Sequence, residues 1–381
     1  MGASVDWDFA RRVAGRVSND DDFSSGFQYE TLEVDLLELT TQAERLVESE
    51  TGLISAAGPA RARVTDRMGW VDANLASFER LMRPLFGRME QVEAEKTANG
   101  TGRSLDLPGP LVELGKTVGA AGNKVGQKVA GAELGALLGW MSSRVLGQYD
   151  LLIAEDDNPN DQDWVYYVAP NILALEKRYG FPPREFRLWI AVHECTHRAQ
   201  FTGVPWLREY FLSLVNELLD SVDPDPKNFA DTIGQALKDA RSGDGPSLSD
   251  GGLSALLASP EQRETMNKVS GLMSLLEGHG DLTMDRATTT DLIPSKQRFA
   301  RVMSHRRQNS NGIAKLVQRL TGMEAKLAQY AEGEDFVRAV ESAGGCELFD
   351  QVWASPEMLP NLDEIRQPSL WVSRVGQPAG A

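Results

Sequence analysis

Residues 182–205 read Pro-Pro-Arg-Glu-Phe-Arg-Leu-Trp-Ile-Ala-Val-His-Glu-Cys-Thr-His-Arg-Ala-Gln-Phe-Thr-Gly-Val-Pro. The paired prolines suit a first helical turn, and Gly203 followed by Pro205 is a stop signal, so the stretch predicts a helix. Phe186, Trp189, Ile190, Val192 and Phe201 give that helix apolar surface to bury. Within it lies His193-Glu194-Cys195-Thr196-His197, an HExxH pattern. On a helix, His193 and His197 stand one turn apart on one face, where both can offer a nitrogen to a single zinc ion. Glu194 is rotated about 100° from His193 and falls beside the metal. There it can take a proton from a water whose pKa the metal lowers toward ~7.

A catalytic zinc normally has three protein ligands and one open position, so a third must come from elsewhere. Leu275-Leu-Glu-Gly-His-Gly-Asp281 is the candidate segment. Glu277 and Asp281 are four apart and share a helical face. Glu277 could bind the metal, while Asp281 accepts the free ring N–H of a liganding histidine. His279 is a rival ligand, or else a contact for substrate or the developing oxyanion. A structural zinc would need a fourth protein ligand, and Cys195 is the thiolate to consider. On a helix it points away from the two histidines and reads as a small buried residue. The fourth histidine of the chain, His305 in Ser-His-Arg-Arg, is expected at the surface.

Outward from this segment the chain reads mostly as helix. Tyr29–Glu50 and Val64–Phe86 carry apolar residues every three or four positions, with Pro84 expected to end or kink the second. Leu111–Leu152 is rich in glycine and alanine at four-residue steps (Gly115 and Gly119, Gly122 and Gly126, Gly131, Gly135 and Gly139), interrupted by Lys116, Lys124, Lys128 and Glu133. That pattern predicts closely packed soluble helices. Gly109–Thr117 imitates a phosphate-binding loop, but its glycines are wrongly spaced and no strand pattern precedes it. Glu155–Asp163 is an acidic loop with Pro159 where a calcium ligand would be needed. Trp164–Val168 is β-prone, and Pro170 is expected to confine it to an edge or a short piece. Arg241–Gly252 reads as a connector, and Gln297–Tyr330 and Glu332–Val352 return to helical patterns.

Residues 185–207 together with Glu277-Gly-His-Gly-Asp281 resemble a family of bacterial zincin-like hydrolases, described as zinc-dependent metalloproteases or as deazaflavin coenzyme biosynthesis-associated proteins. The similarity extends to Gly69-Trp70-Val71, to Leu146–Asp150 and to Val352–Glu357, and so covers most of the chain. Glu277 with Asp281 is similar to the Glu-x-x-x-Asp helix of gluzincins, which implies Glu277 as the third ligand. One position departs from the pattern. Peptidases of this class usually carry an uncharged residue after the second histidine, and here Arg198 stands there.

Composition bounds the remaining choices. The 381 residues include 39 basic and 55 acidic ones, for a net charge of −16, which argues against nucleic acid or an anionic membrane as the main partner. The longest charge-free run, Trp164–Leu175, is too short to span a bilayer. Met1–Asp8 has acidic residues and no apolar core, so no secretory signal is expected there. Two cysteines, Cys195 and Cys346, are too few for a disulfide framework. The expectation is a cytoplasmic, mainly α protein with zincin-like metallohydrolase helices and at most a small β element. A helical region (1–150) would precede a metal-binding domain (151–381), the two sharing one continuous core if they are not separate. The expected activity is zinc-dependent hydrolysis of a peptide, with Glu194 as general base. The alternatives are hydrolysis of a small-molecule amide or ester, and a zinc-stabilised scaffold without turnover.

Overall fold

The computed structural model describes residues 5–18, 27–98, 127–149, 163–220, 260–289, 291–308 and 323–376. In chain order the helices are α1 (Trp7–Val17), α2 (Phe27–Thr51), α3 (Arg67–Ala98) and α4 (127–142), followed by α5 (Ala169–Tyr179), α6 (Pro183–Gly203) and α7 (Leu207–Asp220). After them come α8 (Pro260–Ala287), α9 (Lys296–Gln308), α10 (Met323–Phe349), α11 (Leu362–Arg366) and α12 (Pro368–Val375). Three short strands, β1 (Arg61–Thr65), β2 (Gly147–Tyr149) and β3 (Trp164–Val168), form one sheet in the order β1-β3-β2. β1 runs parallel to β3, with Arg61 opposite Trp164, and β2 runs antiparallel to it, with Gly147 opposite Tyr167. The protein is mainly α with a minor β element, as its helical periodicity predicts.

The HExxH helix is the axis of the molecule. Pro182 caps α6, Pro183 occupies its first turn, and the helix stops at Gly203, as the punctuation predicts. α2 packs along it, burying Leu32, Leu36, Leu39, Ala43 and Val47 on one stripe. α8 crosses α6 from another side and is itself covered by α10 and α11. One apolar core runs through these elements, from Leu32 in α2 to Trp371 in α12. A smaller cluster joins Ala10 and Ala14 of α1 to Trp70, Leu75 and Leu138.

Glycine spacing in α4 has the meaning expected of it. A Cβ on Gly131, Gly135 or Gly139 would lie 2.6, 2.2 or 2.5 Å from the main-chain oxygens of Asp6, Ala10 and Ala14 respectively. α1 therefore packs backbone-to-backbone on α4, which any side chain there would prevent. The remaining glycine steps, Gly115–Gly126, lie outside the described residues, as do 109–117, 155–162 and 241–252.

Three local expectations are corrected. β3 is a short piece of five residues, as expected, but it is the central strand and not an edge, buried from Val165 to Val168, because Pro170 sits in the first turn of α5 and removes no ladder hydrogen bond. The expected helix from Val64 begins at Arg67, and Arg61–Thr65 is a strand instead. α3 also continues past Pro84 to Ala98. Among the described residues no helix is long and apolar enough to cross a membrane.

Candidate metal centre

α6 and α8 bring three of the expected groups together. His193, His197 and Glu277 present donor atoms that all lie within 4.8 Å of one another. The Nε2 atoms of His193 and His197 are 3.3 Å apart, and Glu277 Oε2 lies 4.0 and 3.7 Å from them. Helical geometry accounts for the pair: residues four apart stack one above the other. Leu272, Leu275 and Leu276 are buried and seat α8, which carries Glu277 onto the same spot.

The donor set fits a divalent ion. Two donors bound at about 2.1 Å to one tetrahedral centre stand about 3.4 Å apart, close to the 3.3 Å between the imidazole nitrogens. Two imidazole nitrogens and one carboxylate oxygen form a ligand chemistry suited to zinc. Gly280 adds a steric condition. A Cβ there would stand 3.3 Å from His197 Cε1, so a side chain at 280 would press on the ring.

Glu194 is 6% exposed and lies against β2. A Cβ on Gly147 would fall 2.6 Å from its Cγ and Oε1, so only glycine lets the strand approach this closely. The Tyr149 main-chain N–H donates to the Glu194 carboxylate. Burial pushes the Glu194 pKa above the ordinary glutamate value, against the pull of His193 and His197, while Glu277 adds to the rise. For His197 burial disfavours the charge, but Glu277, Glu194 and Gln200 together outweigh it and the ring is raised to about 9.

His279 lies elsewhere. It is 6% exposed, stacked on Phe349 with ring centroids 5.6 Å apart and set edge-on to Trp353. Burial, and then the nearby charges of His197 and Arg286, lower it to about 4. Its Nδ1 lies 2.9 Å from the Gln200 side-chain nitrogen. The far nitrogen of His197 is likewise held by Gln200, whose Oε1 is 3.0 Å from Nδ1. Asp281 is half-buried one turn beyond Glu277 on α8, and His305 is exposed on α9.

Gln200, Gly147 and Gly280 were not among the candidates drawn from the sequence. For Gln200 a signal existed, since His193, His197 and Gln200 follow the i, i+4, i+7 row of one helical face. For the glycines none did, because each matters through an element remote in sequence. Cys195 points away from the centre, with its Sγ 3.7 Å from the Thr40 carbonyl, and burial pushes its thiol pKa well up. Both cysteines are free thiols.

Arg198 also turns away from the histidines. Its guanidinium, 1% exposed, donates to Asp163 (2.6 Å to Oδ2), to Glu44 Oε1 (2.6 Å) and to the Gly58 carbonyl (2.6 Å). The departure at this position is therefore a structural clamp that leaves the donor cluster unobstructed.

A family model described as zincin-like metallopeptidase matches residues 5–372. No curated protein sequence matches the chain. Among solved structures, the chain is similar to one from Chloroflexus aurantiacus described as a "putative hydrolase with a novel fold", with 29% identity and a TM-score of 0.67. That likeness covers 98% of this chain and 100% of the other.

Proposed function

This chain belongs to the zincin-like metallopeptidase family, and from that premise we propose that it is a zinc-dependent hydrolase whose substrate is a peptide. The observation that carries the reading is the convergence of His193 Nε2, His197 Nε2 and Glu277 Oε2 beside the buried Glu194. We assign the three converging residues as metal ligands, Asp281 as a supporting carboxylate and Glu194 as the general base. Zinc, when bound, supplies Lewis acidity that polarises a carbonyl and makes water easier to deprotonate.

The chain's own residues do the rest. Burial raises the affinity of Glu194 for a proton, so its carboxylate can take one from water and return it to the leaving amine. The Tyr149 N–H holds that carboxylate against β2, and Gly147 gives it room. His279, buried and neutral, lies behind His197 and joins it through Gln200.

The test is elemental analysis of the purified chain beside Glu277→Ala and His279→Ala. About one zinc per chain, lost in Glu277→Ala and kept in His279→Ala, is the expected result. No zinc in the parent after incubation with the metal would sink the assignment. Cleavage of a small acylated metabolite, with peptide libraries untouched, would move the substrate class. Zinc that raises the melting temperature while no library is cleaved would make the centre a structural one.

A further inference from the structure

Gln200 sits at the only junction in the described residues where His197, His279 and α8 are joined through one side chain. Its orientation can be deduced. The Gln200 amide atom facing the Leu276 carbonyl oxygen at 3.0 Å must be the nitrogen, because a carbonyl can only accept. That nitrogen's second hydrogen then points at His279 Nδ1, 2.9 Å away, which must accept it. The amide oxygen is left facing His197 Nδ1 at 3.0 Å, so this ring nitrogen must carry a hydrogen. The remaining ring nitrogen, Nε2, faces His193 and Glu277.

We propose that Gln200 is a positioning residue: anchored on the Leu276 carbonyl, it fixes the ring orientation and the hydrogen of His197 so that Nε2 faces the metal position. The anchor is the main chain of the residue preceding Glu277. One side chain thus ties the second histidine of α6 to the helix that supplies the carboxylate. Hydrogen-bond partners of this kind typically change metal affinity 10–100-fold. The inference rests on the metal-centre reading above for its consequence, but the hydrogen-bond relay is a property of the metal-free chain.

The experiment uses Gln200→Met, close in shape but with neither the amide acceptor nor the donor, and Gln200→Glu, which keeps an oxygen for His197 but has no N–H for the Leu276 carbonyl. In the metal-free chain, proton–nitrogen NMR should show a slowly exchanging Nδ1–H on His197 in the parent, faster exchanging in Gln200→Glu and lost in Gln200→Met. Zinc affinity, measured by competition with a chelator, should fall about 10–100-fold in Gln200→Met and by less in Gln200→Glu, which keeps the acceptor without the anchor. Absence of the protected proton in the parent overturns the proposal. So does a Gln200→Met chain that folds and holds zinc as tightly as the parent. A parent with the protected proton but no zinc binding defeats the metal-centre reading and leaves the relay standing. A merely structural role for Gln200 predicts equal losses in both variants, which also overturns it.

Discussion

Two faces of α6 carry charge-bearing side chains, and the fold treats them differently. On the face toward α2, Arg187 donates to Glu176 at 2.8 Å and to Asp35 at 2.7 Å, and Arg198 donates to Asp163 and Glu44 at 2.6 Å. These guanidiniums end on carboxylates within the fold, and their planar forks suit that geometry. Asp163 takes φ +63° to receive Arg198 just before β3. On the other face, the far nitrogen of His197 is tied back to Gln200, while the near nitrogens of both histidines converge with Glu277. Two ring nitrogens facing each other at 3.3 Å repel unless a proton or a cation lies between them. One face uses its charge to hold helices together, and the other concentrates lone pairs at a point that favours a cation.

The largest effect expected from this contrast lies far from the chemistry. Arg198→Met would leave the buried Asp163 carboxylate and the half-buried Glu44 carboxylate without their shared cation. Breaking a buried pair by removing one partner costs about 3–5 kcal/mol. Denaturant unfolding should show that loss, while the folded fraction keeps the parent's metal content. An unchanged midpoint would mean that the Arg198 clamp adds nothing net to the packing of α2 on α6.

The opposite face should respond in the opposite way. Glu194→Gln is expected to keep the metal and the melting temperature but lose at least ~100-fold in turnover, the scale of general acid–base catalysis. Activity equal to the parent would remove Glu194 from the mechanism and leave only the ligand set.

How far these faces are legible in sequence follows from the range of the forces involved. α6 is legible because Pro182, Pro183, Gly203 and Pro205 act locally, and the histidine pair because helical spacing is local too. Glu277 could be nominated as a ligand from its spacing to Asp281. β1 was hidden because Arg61 and Arg63 look polar, whereas their guanidiniums cover the Trp164 ring at 4.6 and 4.1 Å. Its partner strand lies about a hundred residues on, and parallel pairing at that distance leaves no turn signal. β3 looked like an edge strand or a short piece because Pro170 was counted against it; it is short but central, since the proline belongs to the next helix. Arg198 looked like a defect in the motif because Asp163 and Glu44 come from other elements.

Between the two faces lies a polar contact that belongs to neither. Thr40 Oγ1 and Tyr167 Oη are 2.8 Å apart in the buried seam of α2, α6 and β3. Tyr167→Phe should cost about 0.5–1.5 kcal/mol, the net worth of one hydrogen bond, because the Thr40 hydroxyl still donates to the Leu36 carbonyl at 2.7 Å. Adding Thr40→Val should cost less than the sum of the two single changes, since the pair is then removed together. Additive losses in a double-mutant cycle would show that the hydroxyls do not support each other. Metal affinity should be unchanged in both variants, which separates this seam from the donor face.

The smallest effect expected is a pH-dependent one behind His279. Arg286 on α8 donates to both carboxylate oxygens of Glu341 on α10, and this bonding, opposed by burial, lowers the Glu341 pKa below 4.5. A carboxylate lowered on folding stabilises the native state above its unfolded pKa and loses that contribution as the pH falls through its folded value. The pair is partly exposed, with side-chain exposures of 35% and 16%, so screening limits it to about 0.5 kcal/mol. Glu341→Gln should therefore lower stability slightly at pH 7, and the difference from the parent should vanish on acidification through the folded pKa. Urea unfolding at the two pH values reads the sign directly. A deficit that persists in acid would mean that Glu341 acts through packing between α8 and α10, making this contact more like the Arg198 clamp than a screened surface pair.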